Sequence, residues 1–136
     1  MTEPLAGLRI LVVEDEYLIA AELEEAVSQL GAQVVGPVGR LQPALELARN
    51  NPLDGAILDV KLDAEMSCSV AQELMARGIP VVLCSGYEPE QMPESLRHLP
   101  RIRKPFSPKS FRATLTKTFT KQAGTKQAGT KPAGTS

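Results

Sequence analysis

The sequence predicts a doubly wound α/β fold with a five-stranded parallel sheet. Three observations carry that expectation: short continuous apolar runs, helical apolar patterns between them, and polar or acidic residues where the runs end. Leu8 to Val13 is the first run, too uniformly apolar for a strand with one wet face. A helical stripe of Ile19, Leu23, Ala26, Val27 and Leu30 follows and closes at Gly31, a C-cap residue. Ala32 to Val35 forms a second strand expected to end at Gly36 and Pro37, and Leu41, Ala44, Leu45 and Ala48 continue as a helix to about Asn50. Gly55 to Val60 reads as a third strand, about Ser67 to Arg77 as a helix stopped by Gly78, and Pro80 to Cys84 as a fourth strand. Between Tyr87 and Pro100, Pro89 and Pro93 predict a short or poorly formed fourth helix. Ile102 centres a fifth strand. Ser107 and Pro108 then open a last helix buried through Phe111, Leu115 and Phe119.

The chain's 136 residues fit one domain, and 43% hydrophobic content suffices for its core. The domain is expected over residues 1–120. The remainder, 121–136, reads KQAGT, KQAGT, KPAGT and lacks large apolar side chains, so disorder is expected from Lys121. Without the three lysines of that tail, the net charge of −1 becomes −4 for residues 1–120. An acidic domain argues against nucleic acid as a partner, because phosphate backbones demand clustered Lys and Arg. The apolar run from Ile10 to Val13 is too short for a signal peptide or a membrane span, which predicts a cytoplasmic chain with no membrane contact. Cys68 and Cys84 lie in apolar surroundings without CxxC spacing, so buried reduced thiols are expected. His98, the sole histidine, reads as a surface residue.

Ligands of open parallel sheets bind beyond the carboxyl ends of the strands. Glu14 and Asp15 follow the first strand, Asp59 ends the third, Ser85 follows the fourth and Lys104 follows the fifth. Each alone has a bland explanation, since carboxylates cap helices and serines begin turns. Together they place three mutually repelling carboxylates on one edge. That repulsion calls for a cation, a raised pKa or a fixed positive side chain. Mg²⁺ prefers oxygen ligands on an open edge, and Lys104 is a second source of positive charge.

With VVEDE after the first strand, ILDV at the third, CSG at the fourth and KPF after the fifth, the chain resembles response-regulator receiver domains over roughly residues 8–119. The segments IPVVLCSGY and LIAAELE look like the FAT GUY subgroup of single-domain receivers, of whose motif Gly86 and Tyr87 are present literally. The resemblance implies a flavodoxin-like, CheY-like sheet in the order 2-1-3-4-5. It implies Asp59 as phosphoacceptor, with Mg²⁺ or Mn²⁺ held by Asp15, Asp59 and the Lys61 backbone carbonyl, and by Glu14 through a water. Ser85 would donate to a phosphoryl oxygen, Lys104 would pair with the phosphoryl group, and the peptide before Pro105 is often cis in this family. The activity implied is signalling in a two-component phosphorelay, with self-directed phosphotransfer and dephosphorylation only. The implied partners are a histidine kinase or phosphotransfer protein as donor and an effector protein as recipient. A phosphate-sink role and a weak or phosphorylation-dependent dimer stay open.

Two departures bear on switching. Where many receivers carry an aromatic three residues before the motif lysine, this chain has Arg101, and Tyr87 is the nearest aromatic to Ser85 in sequence. Tyr87 is therefore the candidate mobile reporter, and the proline-rich stretch after it the candidate bistable element. No folded output domain is expected after the last helix. A haloacid-dehalogenase-type phosphatase would want a DxD where Asp59 precedes Val60 and Lys61. A flavodoxin-like cofactor binder would want a phosphate loop where the chain carries Glu14, Asp15 and Glu16.

Overall fold

The computed structural model describes residues 4–62, 65–85, 94–104 and 107–129, with backbone alone for 61–62, 65–66 and 121–129. In chain order the elements are β1 (Arg9–Val13), α1 (Tyr17–Gln29), β2 (Gln33–Val38), α2 (Leu41–Asn50), β3 (Gly55–Asp59), β4 (Lys61–Leu62), β5 (Glu65–Met66), α3 (Cys68–Ala76), β6 (Val81–Ser85), a 3₁₀ turn (Glu94–Leu96), β7 (Arg101–Arg103) and α4 (Pro108–Gly129). The central sheet has the order β2-β1-β3-β6-β7 and every pairing in it is parallel. Counted among themselves, these strands follow the expected order 2-1-3-4-5.

Alternation along each strand sorts the core into two layers. Leu11, Val13, Ala56, Leu58, Val81 and Leu83 point to one face, where Ala44, Leu45 and Ala48 of α2 and Val70, Ala71 and Leu74 of α3 cover them. Ile10, Val12, Ile57, Val82 and Ile102 point to the other, beneath Leu23, Ala26 and Val27 of α1 and Phe111, Leu115 and Phe119 of α4. With helices on both faces, β3 and β6 are buried at every position, which explains their unbroken apolar sequences.

The capping residues act as read. Gly31 and Gly78 close α1 and α3 with φ of 94° and 74°, a region costly for any side chain. The Ser107 hydroxyl accepts the Ser110 amide at 3.1 Å, and Pro108 takes the first helical position of α4.

One local expectation needs correction. β2 does not end at Gly36 and Pro37 but runs to Val38; it lies at the sheet edge, where a proline removes no ladder bond, and its register against β1 shifts between Leu11 and Val13. The β3–α3 connection carries a further antiparallel pair, β4 and β5. The backbone of α4 continues as helix past Lys121 to Gly129. A helix already anchored by Phe111, Leu115 and Phe119 has its nucleation cost met, so Lys, Gln and Ala can extend it. Each repeat's glycine opposes extension by about 1 kcal/mol. Of the proline-rich stretch, Glu94–Leu96 is a single 3₁₀ turn with Leu96 buried, while residues 86–93 lie outside the described residues. No helix among the described residues is long and apolar enough to cross a membrane.

Candidate functional site

The carboxyl ends of β1, β3, β6 and β7 deliver their polar residues to one edge of the sheet. β1 and β3 run side by side in register from Ile10 opposite Gly55 to Val13 opposite Leu58. Glu14 and Asp15 therefore leave the sheet beside Asp59. Asp59 in turn lies opposite Cys84, so that Ser85 is the next residue of the neighbouring strand. The Lys104 amide donates to the Ser85 carbonyl at 2.9 Å, fixing the start of the lysine's side chain at the same edge.

Glu14, Asp15 and Asp59 each present a carboxylate oxygen to one point, all within 4.8 Å of one another. Glu14 and Asp59 are buried and Asp15 is exposed, which gives the cluster one open side. Lys104 reaches across it: its Nζ lies 3.1 Å from Glu14 Oε1, 3.4 Å from Asp59 Oδ2 and 3.8 Å from Glu16 Oε1. Glu14 Oε2 accepts from Lys104 Nζ at 3.3 Å and from the Glu16 amide at 3.2 Å. Glu14 Oε1 is buried without a hydrogen-bond donor; Lys104 stands at ion-pair distance but lacks hydrogen-bonding geometry toward that oxygen.

One ammonium thus faces two buried carboxylates. Burial first, and then the negative charge of Glu14, push the Asp59 carboxyl up to about 7, although Lys104 pulls the other way. Burial alone would lower the Lys104 pKa, but the Asp59 and Glu14 carboxylates outweigh it and hold the ammonium above its ordinary value. The edge is short of positive charge. Hard oxygen donors, an orphaned buried carboxylate oxygen and one open side fit a small dication such as Mg²⁺, which keeps waters where protein ligands run out.

The other candidates divide. Ser85 is buried at the end of β6. The Lys61 backbone begins β4, two residues past Asp59. Arg101 starts β7 opposite Leu83 and is half-buried. Tyr87 and the peptide before Pro105 lie outside the described residues. Cys84 is buried directly beneath the site, and burial pushes its thiol up to about 12, so it stays an inert neutral neighbour; Cys68 is also a free thiol.

Ser67 is a contributor that the sequence reading treated only as a helix start. It is fully buried, and its hydroxyl donates 2.6 Å to the Asp59 main-chain carbonyl rather than capping α3. Its amide donates to the Val60 carbonyl at 2.9 Å, so this one residue closes the base of the β4–β5 excursion against the end of β3. Nothing in local sequence distinguishes such a serine from an N-cap, because its partner lies across the excursion.

Comparisons with known proteins agree with this architecture. No protein-family model matches the chain. It is 33% identical over 103 residues to the transcriptional regulatory protein PdtaR of Mycobacterium tuberculosis, covering 73% of this chain and 50% of that protein. The response regulator PhyR of Brucella abortus superposes with a TM-score of 0.78 at 26% identity, over 93% of this chain and 54% of PhyR. The chain thus spans about half the length of these relatives. SdrG of Sphingomonas melonis matches nearly end to end, at 36% identity and a TM-score of 0.71 over 82% of this chain and 94% of SdrG. With its sheet order, its edge of converging acids and these relatives, the chain belongs to the CheY-like receiver domains of response regulators.

Proposed function

We propose that this chain is a receiver domain of the FAT GUY type, which accepts a phosphoryl group on Asp59 in a Mg²⁺-dependent reaction. The observation that carries the reading is the meeting of Glu14, Asp15 and Asp59 within 4.8 Å, with Lys104 Nζ 3.4 Å from Asp59 Oδ2. In the transfer a carboxylate oxygen of Asp59 forms a bond to phosphorus while the donor's bond to phosphorus breaks. The donor is a histidine of a kinase or phosphotransfer protein, whose imidazole nitrogen departs with the bonding pair. Such transfers ask a protein for positioning and for positive charge at the equatorial oxygens. Mg²⁺, or Mn²⁺ in its place, supplies part of that charge when bound. Asp15 and Asp59 would hold it directly, Glu14 through a water, and the Lys61 carbonyl would be a further ligand. Lys104 pairs with the arriving phosphoryl group and Ser85 donates its hydroxyl to it.

The same reading assigns the chain a signalling role in the cytoplasm. Its only chemistry is on itself, and its output is contact with an effector protein. The domain spans residues 1–120 in this reading, with Phe119 seated in its core. Arg101 stands where many receivers carry the aromatic switch, and Tyr87 takes over as the mobile reporter. Metal dependence is the direct test: with a small phosphodonor, phosphorylated protein resolved on a phosphate-affinity gel accumulates in Mg²⁺ and is absent in EDTA. Equal labelling in EDTA contradicts the reading.

A further inference from the structure

Gly39, just after β2, touches the acidic loop from below. A Cβ built on it would stand 2.9 Å from Asp15 Cα, 3.2 Å from the Glu14 carbonyl oxygen and 3.3 Å from Asp15 Cβ. Two of these three are main-chain atoms, which cannot swing aside as a flexible side chain would. Nor is Gly39 there for its backbone: unlike Gly36, with φ of 95°, it lies outside the left-handed region, so alanine suits its dihedral angles. What the position requires is the empty space. One residue earlier, the Val38 carbonyl accepts the Glu14 amide at 2.9 Å. The end of β2 therefore fixes the acidic loop twice, pulling Glu14 in through a hydrogen bond and letting Asp15 settle against a bare Cα.

We propose that Gly39 is a positioning residue for the metal-holding carboxylates: its missing side chain sets how closely Asp15 approaches Glu14 and Asp59. The inference rests on the metal reading above. In Gly39→Ala the methyl displaces Asp15 Cα, and with it the exposed carboxylate that closes the cluster. Loss of a contact that orients a metal ligand costs about 10- to 100-fold in metal affinity.

The test is calorimetric titration of the full chain with Mg²⁺, wild type against Gly39→Ala, with thermal unfolding of both in EDTA. The expected result is Mg²⁺ binding weakened about 10- to 100-fold in a variant that remains folded at the titration temperature. Wild type and variant binding Mg²⁺ equally well would overturn the positioning role while leaving the metal site standing. A wild type that takes up no Mg²⁺ would sink the metal reading and this proposal with it. A second measurement needs no variant: the Gly39 amide resonance of the wild type should shift with Mg²⁺ occupancy in step with that of Asp15. A Gly39 resonance unmoved at saturation would count against the role even if Gly39→Ala failed to fold.

Discussion

Lys104→Ala is expected to lower the stability of the metal-free protein by about 2–4 kcal/mol, somewhat less than the ~3–5 kcal/mol for removing one partner of a fully buried pair because the lysine keeps 18% exposure. The Lys104 ammonium lies 3.1 Å from Glu14 Oε1 and 3.4 Å from Asp59 Oδ2, and the Glu14 side chain has no exposure to water. Without the ammonium, two buried carboxylates face each other with the Lys104 charge gone. Protonation of Asp59 limits the loss, so it grows as pH rises and the carboxyl must ionise. Mg²⁺ should restore most of the difference, because a dication supplies the missing charge to the same oxygens. Urea unfolding of wild type and variant, in EDTA and in saturating Mg²⁺, measures both effects. A loss of the same size in Mg²⁺ as in EDTA would mean that Lys104 acts through packing of its aliphatic stem and not through its charge.

Asp59→Asn is expected to act in the opposite direction. The Asp59 carboxyl is raised from 3.8 to about 7 in the folded protein, so the folded state binds that proton more tightly than the unfolded chain does. The group's contribution to stability is therefore fully present below the unfolded value of 3.8 and is lost as pH climbs to about 7. Asparagine never ionises and escapes this loss. The metal-free variant should match wild type in acid and exceed it by about 1–3 kcal/mol above neutrality, a range discounted for water at the open side of the site. In Mg²⁺ the order should narrow or reverse, since wild type gains a bound ion that the variant holds less well. Parallel pH profiles for the two proteins in EDTA would contradict this account of the edge.

The fold was legible because its signals are local and repeated. Unbroken apolar runs at β3 and β6 can only be strands covered on both faces, and the caps at Gly31, Gly78 and Ser107 are set by backbone chemistry within a few residues. The strand-end positions of Glu14, Asp15, Asp59, Ser85 and Lys104 followed from topology, because parallel strands deliver their carboxyl ends to one edge. What stayed hidden depends on contacts between distant segments. Ser67 read only as the start of a helix, yet its hydroxyl spans the β4–β5 excursion to the Asp59 carbonyl. Gly39 carries no local signal, and its role depends on β2 running through Gly36 and Pro37 and bringing it against Asp15.

The most direct test of the central claim is the intact mass of wild type and Asp59→Asn after incubation with Mg²⁺ and acetyl phosphate. Wild type should gain one phosphoryl group and lose it in hydroxylamine, as an acyl phosphate does, and Asp59→Asn should gain none. A phosphoryl adduct on Asp59→Asn, or one on wild type that survives hydroxylamine, would contradict the account.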